Sequence, residues 1–232
     1  MPSVFKRYEK KYLITREQGA ALQSILARRM KRDRFGEYMV QNLYFDTENW
    51  DVIRASLEKP PYKEKMRLRC YGAPSRGLFL ELKKKYQGIV YKRRIPVSPA
   101  DFARRSIREI VAGGSAQIAR EFDFYLKTHA VSEKIYISYR RIAFTGTEDK
   151  GLRVTFDADA RFRAEELNFE RPGAGRLIIP PGALLAEIKT PAGIPLWLAR
   201  ALSANGVFPR SFSKFGVCYT EYIAKGPPEK GW

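Results

Sequence analysis

The sequence predicts an α+β fold, an eight-stranded antiparallel β-barrel with helices packed on its outside, and three observations lead there. Roughly eight strand-like segments are interrupted by four or five helical stretches, without the one-for-one βα alternation of a parallel sheet. Several of those segments, above all "KMRLRCYG" (65–72), alternate long cations with apolar residues at period two, which puts the two kinds on opposite faces of a strand. Apolar stripes at 22–30 and 107–126 need a surface to cover, and eight antiparallel strands can offer one by closing, which also removes exposed edges. The 232 residues, 44% hydrophobic, suffice for one domain over 1–232, ordered over about 4–223 and ending in a flexible tail, "AKGPPEKGW".

In chain order, "VFKRYEKKYLI" (4–14) reads as a first strand with Arg7, Glu9 and Lys11 on one face. Thr15 is an N-cap, and "REQGAALQSILARRM" carries Leu22, Ile25, Leu26 and Met30 on one helical stripe. "YMVQNLYFD" (38–46) is the second strand, and "WDVIRASLE" (50–58) is a short helix closed by Pro60 and Pro61. The third strand holds Lys65, Arg67 and Arg69 against Met66, Leu68 and Cys70. After the Gly72–Gly77 turn, "GLFLELKKKYQG" (77–88) sets Phe79, Glu81, Lys83 and Lys85 against Leu80, Leu82 and Lys84; a hairpin at Gly88 leads into "IVYKRRIPV" (89–97) with Lys92 and Arg94 on one face. "PADFARRSIREIV" is helical, broken at Gly113 and Gly114 and resumed in "SAQIAREFDFYLKTHA". Strands return at 134–146, 151–164 and 184–190, the last after a loop rich in Gly and Pro; a short helix follows at 195–206, and "SFSKFGVCYTEYI" (211–223) ends the ordered chain.

Lys and Arg number 43 against 25 Asp and Glu, a net charge of +18 and a pI near 10.0, which favours phosphate-rich partners. His129 is the sole histidine, which excludes a histidine metal cluster and leaves no ordinary support for a Ser-His-Asp triad. Cys70 and Cys218 form no CxxC pair, so neither a zinc site nor a disulfide framework is expected and a reducing, cytoplasmic setting fits. The N-terminus reaches charged residues at once, and no apolar run approaches the ~18 residues of a spanning helix, so a soluble chain is expected. Gly72 to Gly77 has the GxxxxG spacing of a phosphate loop, but Leu78 and Phe79 stand where Lys and Ser or Thr are required. Tyr and Phe at alternating strand positions read as core in preference to a nucleic-acid stacking surface.

One face per strand gathers Arg7, Glu9 and Lys11; Lys65, Arg67 and Arg69; Glu81, Lys83 and Lys85; Lys92 and Arg94; Arg141; Arg153 and Asp157; and Glu187 and Lys189. If the helices cover the apolar faces, these cations point into the barrel, where unpaired charge is costly and a phosphate chain would neutralise it. Arg forks suit phosphate oxygens, Lys adds point charge, and the carboxylates Glu9, Glu81, Asp157 and Glu187 offer oxygen ligands for Mg²⁺ or Mn²⁺. Periodicity equally permits the inverse arrangement, with the cations in solvent.

"RYEKKYLI" resembles the ExExK strand of the CYTH and triphosphate tunnel metalloenzyme superfamily, with Arg7 in place of the first acid. "YFDT" (44–47), "RLRCYG" (67–72), "LELKKK" (80–85), "YRRIAF" (139–144), "LRVTFD" (152–157), "LLAEIK" (184–189) and "FSKFG" (212–216) are similar to the VTC branch, in order, across about 4–223. The resemblance implies an eight-stranded antiparallel triphosphate tunnel with a divalent metal, Mn²⁺ or Mg²⁺, and an ATP-dependent polyphosphate polymerase. ATP or another nucleoside triphosphate and inorganic polyphosphate or triphosphate would be its partners, without a membrane segment or nucleic acid. Carried over by position, Lys11, Arg67, Arg69, Lys83, Lys92, Arg141, Arg153 and Lys214 would be catalytic, Lys65, Arg94, Lys189 and Ser213 substrate-binding, and Glu187 the metal ligand. Arg7 removes a carboxylate that hydrolytic and cyclase relatives use for metal. The alternatives are a tripolyphosphatase or nucleoside triphosphatase of the same fold, and a non-catalytic module that binds polyphosphate or nucleic acid.

Overall fold

The computed structural model describes residues 4–5, 8–87 and 89–225, with side chains from residue 8 onward; Arg7, the Gly88 hairpin tip and most of the tail expected to be flexible lie outside the described residues. Ten strands form one sheet: β1 (Val4–Phe5), β2 (Tyr8–Ile14), β3 (Met30–Asp46), β4 (Tyr62–Tyr71), β5 (Leu78–Tyr86), β6 (Ile89–Val97), β7 (Ser132–Gly146), β8 (Arg153–Arg163), β9 (Arg176–Leu177) and β10 (Leu184–Thr190). Seven α-helices join it: α1 (Arg16–Leu26), α2 (Asp51–Leu57), α3 (Pro99–Arg104), α4 (Ile107–Ala112), α5 (Ala116–Thr128), α6 (Leu196–Ala204) and α7 (Lys214–Cys218).

The strands run in the order β1-β6-β5-β4-β3-β7-β8-β10-β2, with β9 beside β8, and every pair is antiparallel. This corrects the closed eight-stranded barrel: among the described residues the ladder is an open path, not a hydrogen-bonded ring. Its two ends, β1 and β2, are successive pieces of the first strand, one on β6 and the other on β10. The sheet is nonetheless strongly curled. Lys83 on β5 donates to Glu9 on β2 at 3.2 Å, although five strands stand between them in the ladder.

Two apolar clusters lie on the outer face. Met66, Leu68, Cys70, Leu80 and Leu82 bury against Ile110 and Val111 of α4 and Phe122, Tyr125 and Leu126 of α5. Tyr12, Val154, Phe156, Ala186 and Ile188 bury against Leu22 and Leu26 of α1 and Leu198 and Leu202 of α6. Each fully buried Leu or Phe contributes about 1.5–3 kcal/mol, enough to decide which face of an alternating strand turns to the helices. The question raised by residues 65–72 is thereby answered: the apolar side faces the helices, and Lys65, Arg67 and Arg69 look into the curve of the sheet. A third cluster, including Ile135, Ile137, Phe162, Phe215 and Cys218, fills one end of that curve beneath α7.

Two local readings change, and the rejection of a phosphate loop at Gly72–Gly77 stands. Met30 belongs to β3, not to the α1 stripe, because 30–32 pair with 144–146 and a bulge between Arg32 and Glu37 carries β3 past the charged stretch "KRDRFGE". The helical run after Pro99 divides at Ser106, whose hydroxyl accepts from the Glu109 N–H while the Glu109 carboxylate accepts from the Ser106 N–H. Gly77, at φ 103°, ends a 3₁₀ turn and opens directly into β5, whereas a phosphate loop must open into a helix.

Candidate phosphate-binding site

The antiparallel registers place the concave charges in rows, because residues directly opposite one another share a face. Lys65, Lys83 and Lys92 stand abreast on β4, β5 and β6. In the next row Tyr44, Arg67, Glu81 and Arg94 are aligned, and beyond it Asn42, Arg69 and Phe79. On the other arm Glu9, Lys189 and Arg153 form one row, and Lys11, Glu187 and Thr155 the next. Arg141 lies opposite Asp157. All thirteen side chains assigned to the site from sequence lie on these strands or at the start of α7; contacts join nine of them into three clusters, and Lys11, Lys65 and Ser213 are held at the entry to α7.

Glu81 centres the first cluster. It is 1% exposed and accepts from Arg67 at 3.0 and 2.8 Å and from Arg94 at 2.9 and 2.5 Å; Lys92 pairs with it at 2.6 Å and Arg69 at 3.9 Å. Burial alone would raise its pKa, but Arg67, Arg69 and Lys92 hold the carboxyl far below the usual range. Arg67 also donates to the Tyr44 hydroxyl, and Arg69 to Asn42 and to the Tyr139 hydroxyl, so both guanidinium forks are fixed in orientation.

Asp157, 0% exposed, centres the second. Arg141 grips it through two bonds of 2.6 and 2.8 Å and Lys214 donates at 2.5 Å, overcoming the burial that would otherwise favour its neutral form. Beside them burial would raise the Tyr139 pKa, but Arg141, Arg69 and Lys214 bring it down to about 7. Tyr139 was missed as a functional residue, although it shares the face of Arg141 at period two within "YRRIAF".

The third cluster joins the two arms. Glu9 takes Lys83 at 3.2 Å and Lys189 at 3.7 Å, and Lys189 also lies 3.4 Å from Glu187. Against a burial effect that raises it, these neighbours and Lys11 lower the Glu9 pKa to about 2. The lysines are desolvated. Burial, with repulsion from other lysines, lowers Lys65 to about 7; burial lowers Lys11 and Lys189 to about 8 despite Glu9, and lowers Lys83 and Lys92 as well. Solvent still reaches 45% of the Lys83 side chain, as befits a group lining a wet cleft.

The entry to α7 closes one side. Ser213 caps that helix by accepting from the Gly216 N–H and lies 3.4 Å from the Lys65 ammonium, while Lys11 donates to the Phe212 carbonyl at 2.8 Å. Arg153 is the exception to clustering: it is exposed and forms no hydrogen bond or ion pair among the described residues. His129 lies outside the site, 3.0 Å from Glu64 at the end of α5.

The residues assigned to the site supply eleven cations, namely Lys11, Lys65, Arg67, Arg69, Lys83, Lys92, Arg94, Arg141, Arg153, Lys189 and Lys214, with Lys63 and Lys85 farther along the same face, against four carboxylates, Glu9, Glu81, Asp157 and Glu187. The carboxylates thus supply part of the neutralisation expected from a ligand, and cations remain in excess. Glu81 and Asp157 are saturated by cations, whereas among the described residues Glu187 is ion-paired with Lys189 alone, at 3.4 Å. No group of three or more His, Cys, Asp or Glu could hold a metal ion among the described residues. This donor set fits a divalent ion shared between one carboxylate and substrate phosphates, the usual mode for Mg²⁺, and does not fit an all-protein cage.

The sequence matches the family model described as VTC domain over residues 6–222. Among solved structures, it is similar to a protein described as a candidate adenylate cyclase from Vibrio parahaemolyticus, at 12% identity and TM-score 0.50, covering 92% of this chain and 98% of that one. A Pyrococcus horikoshii protein matches at 11% identity and TM-score 0.46 over 93% of this chain and 100% of its own, and the Mediator head module of Schizosaccharomyces pombe at 8% and 0.44 over 85% and 90%. No curated protein matches. At these identities the likeness concerns the fold. Among the described residues, no helix is long and apolar enough to cross a membrane.

Proposed function

The chain belongs to the VTC domain family, and on that premise we propose that it is a phosphotransferase whose curled sheet acts as a tunnel for a phosphate chain, extending inorganic polyphosphate with the γ-phosphoryl group of ATP or another nucleoside triphosphate. One observation carries the reading: Lys65, Lys83 and Lys92 stand side by side on three adjacent strands, on the concave face of the sheet. Like charges directly opposite one another destabilise a sheet. A row of three is a cost without a structural return, and a polyanion supplies the return.

The chemistry asks for positioning and charge neutralisation more than for covalent help. Arg67, Arg69 and Arg141, held by Glu81, Asn42 and Asp157, present fixed guanidinium forks to phosphate oxygens. The lysine row takes up charge on the γ-phosphoryl group. A terminal phosphate oxygen of the acceptor chain attacks the γ-phosphorus, the new P–O bond forms as the bond to the β–γ bridging oxygen breaks, and ADP leaves with that electron pair. The attacking oxygen is already ionised, so the single histidine, remote from the site, is not needed as a base. Glu187 would hold Mn²⁺ or Mg²⁺, which would supply positive charge to screen the phosphates. The buried, unpaired Cys70 and Cys218 support a reducing, cytoplasmic setting.

Incubating the protein with ATP, a short polyphosphate primer and Mn²⁺ tests this. ADP with lengthening chains on a gel is expected. Phosphate release without chains would make it a hydrolase, and no nucleotide consumption with either metal would leave a binding module.

A further inference from the structure

Beyond the row of Asn42, Arg69 and Phe79 the charged rows of the concave face give way to rings. Tyr38 lies opposite Arg141, Phe79 opposite Arg69, and Tyr71 follows Arg69 by two residues, about 7 Å along the strand. Their centroids form a chain: Tyr38 to Tyr71 is 6.2 Å, Tyr71 to Phe79 is 6.2 Å, and Phe35 extends it to the rim at 6.2 Å from Tyr38. All three contacts are edge-on, at 61–77°, so none is a face-to-face stack. Arg94 lies over the Phe79 ring at 4.4 Å, and Phe35 is 58% exposed. Six residues from Tyr38 along the same strand, in the row of Arg67, Tyr44 stacks on Phe215 of α7 at 4.9 Å.

We propose that Tyr38, Tyr71 and Phe79, with Phe35 at the rim, form a stacking platform for the base of a nucleoside triphosphate. This rests on the tunnel reading and specifies its donor. The exposed Phe35 marks the rim by which a triphosphate would enter past the rings. Its terminal phosphate then travels to the lysine row, the inner phosphates meet Arg69, Arg94 and Arg141, and the base remains level with the aromatics. Tyr71 lies six residues beyond Lys65 on β4, about 20 Å along the strand, which leaves room for a sugar and three phosphates between ring and lysine row. Stacking uses the π-face that every base possesses, so the platform favours nucleotides over inorganic triphosphate and larger bases over smaller ones, without selecting one base by hydrogen bonding.

The test is equilibrium binding of ATP and of inorganic tripolyphosphate to the parent protein and to Tyr38→Leu, Phe79→Leu and Phe35→Ala. Tripolyphosphate serves as the control for folding and for an intact phosphate site. The platform predicts that Tyr38→Leu and Phe79→Leu lower the ratio of ATP to tripolyphosphate affinity at least fivefold, with a smaller fall for Phe35→Ala. An unchanged ratio in all three variants overturns the platform and leaves the tunnel standing. A parent protein that binds neither compound overturns both.

Discussion

Glu9 and Lys83 are separated by 74 residues and sit on strands with five others between them, yet their side chains meet at 3.2 Å inside the curve of the sheet. A flat or gently twisted sheet would hold them far apart. The contact shows that the charged faces of both arms look at one another, the arrangement a phosphate chain running between them would need.

Glu81 is the common counter-ion of Arg67, Arg69, Arg94 and Lys92, and replacing it with Gln leaves four cations with a neutral partner in a buried place. Breaking a buried pair by removing one partner costs about 3–5 kcal/mol. We expect Glu81→Gln to lower the melting temperature by about 10 °C or more, and millimolar tripolyphosphate to restore at least half of the loss, measured by thermal unfolding with and without the ligand.

Arg141 and Arg153 separate structural from ligand-directed charge. Arg141 is bonded twice to buried Asp157, so Arg141→Ala should weaken both stability and tripolyphosphate binding. Arg153 is exposed and unpaired among the described residues, so Arg153→Ala should leave the melting temperature within about 2 °C while weakening tripolyphosphate about tenfold, the effect of losing one charge-assisted bond. Calorimetric titration beside thermal unfolding checks both.

Burial and repulsion lower the Lys65 pKa to about 7, and burial lowers Lys11 to about 8. A polyanion favours the charged forms and raises both. Below about pH 7 the lysines are already protonated, so little proton uptake accompanies binding. Between those values and the ordinary lysine range the complex keeps protons that the free protein has released. Tripolyphosphate binding at pH 8 should therefore take up protons, and affinity should fall as pH rises. Folding has the opposite sign: the unfolded chain binds more protons than the native one over that window, so these two lysines make stability rise with pH there. Titrations in buffers of different ionisation enthalpy measure the uptake, which should be smaller in Lys65→Met.

Much of this was legible in the sequence, for physical reasons that also mark its limits. Alternation at 65–72 identified the face shared by Lys65, Arg67 and Arg69, because period two is a property of a single strand. Thr15 as the cap of α1 was equally local, and its capping box with Gln18 is present. The open ladder was not legible, since it depends on pairing between strands distant in sequence. Residues 31–37 lack apolar alternation and become strand only through their partners on β7. The three-abreast lysines and the aromatic row likewise required the register between strands, and the saturation of Glu81 and Asp157 required side-chain reach.

Among the described residues Glu187 forms an ion pair with Lys189 alone, which sets it apart from Glu81 and Asp157. Glu187→Gln should abolish the stimulation of nucleotide consumption by Mn²⁺ or Mg²⁺. Metal-free binding of tripolyphosphate should stay within about threefold of the parent, because the mutation removes a metal anchor and one negative charge but no phosphate contact. Turnover assays with varied metal, beside metal-free titrations, separate these effects.

The most direct test of the central claim is a structure of the protein crystallised with tripolyphosphate. The account predicts phosphate oxygens within hydrogen-bonding distance of Lys65, Lys83 and Lys92 inside the curled sheet, with Arg67, Arg69 or Arg141 gripping the adjoining phosphates. Tripolyphosphate bound only on the outer surface, with the three lysines facing water and the Glu81 and Asp157 clusters unchanged, would contradict it.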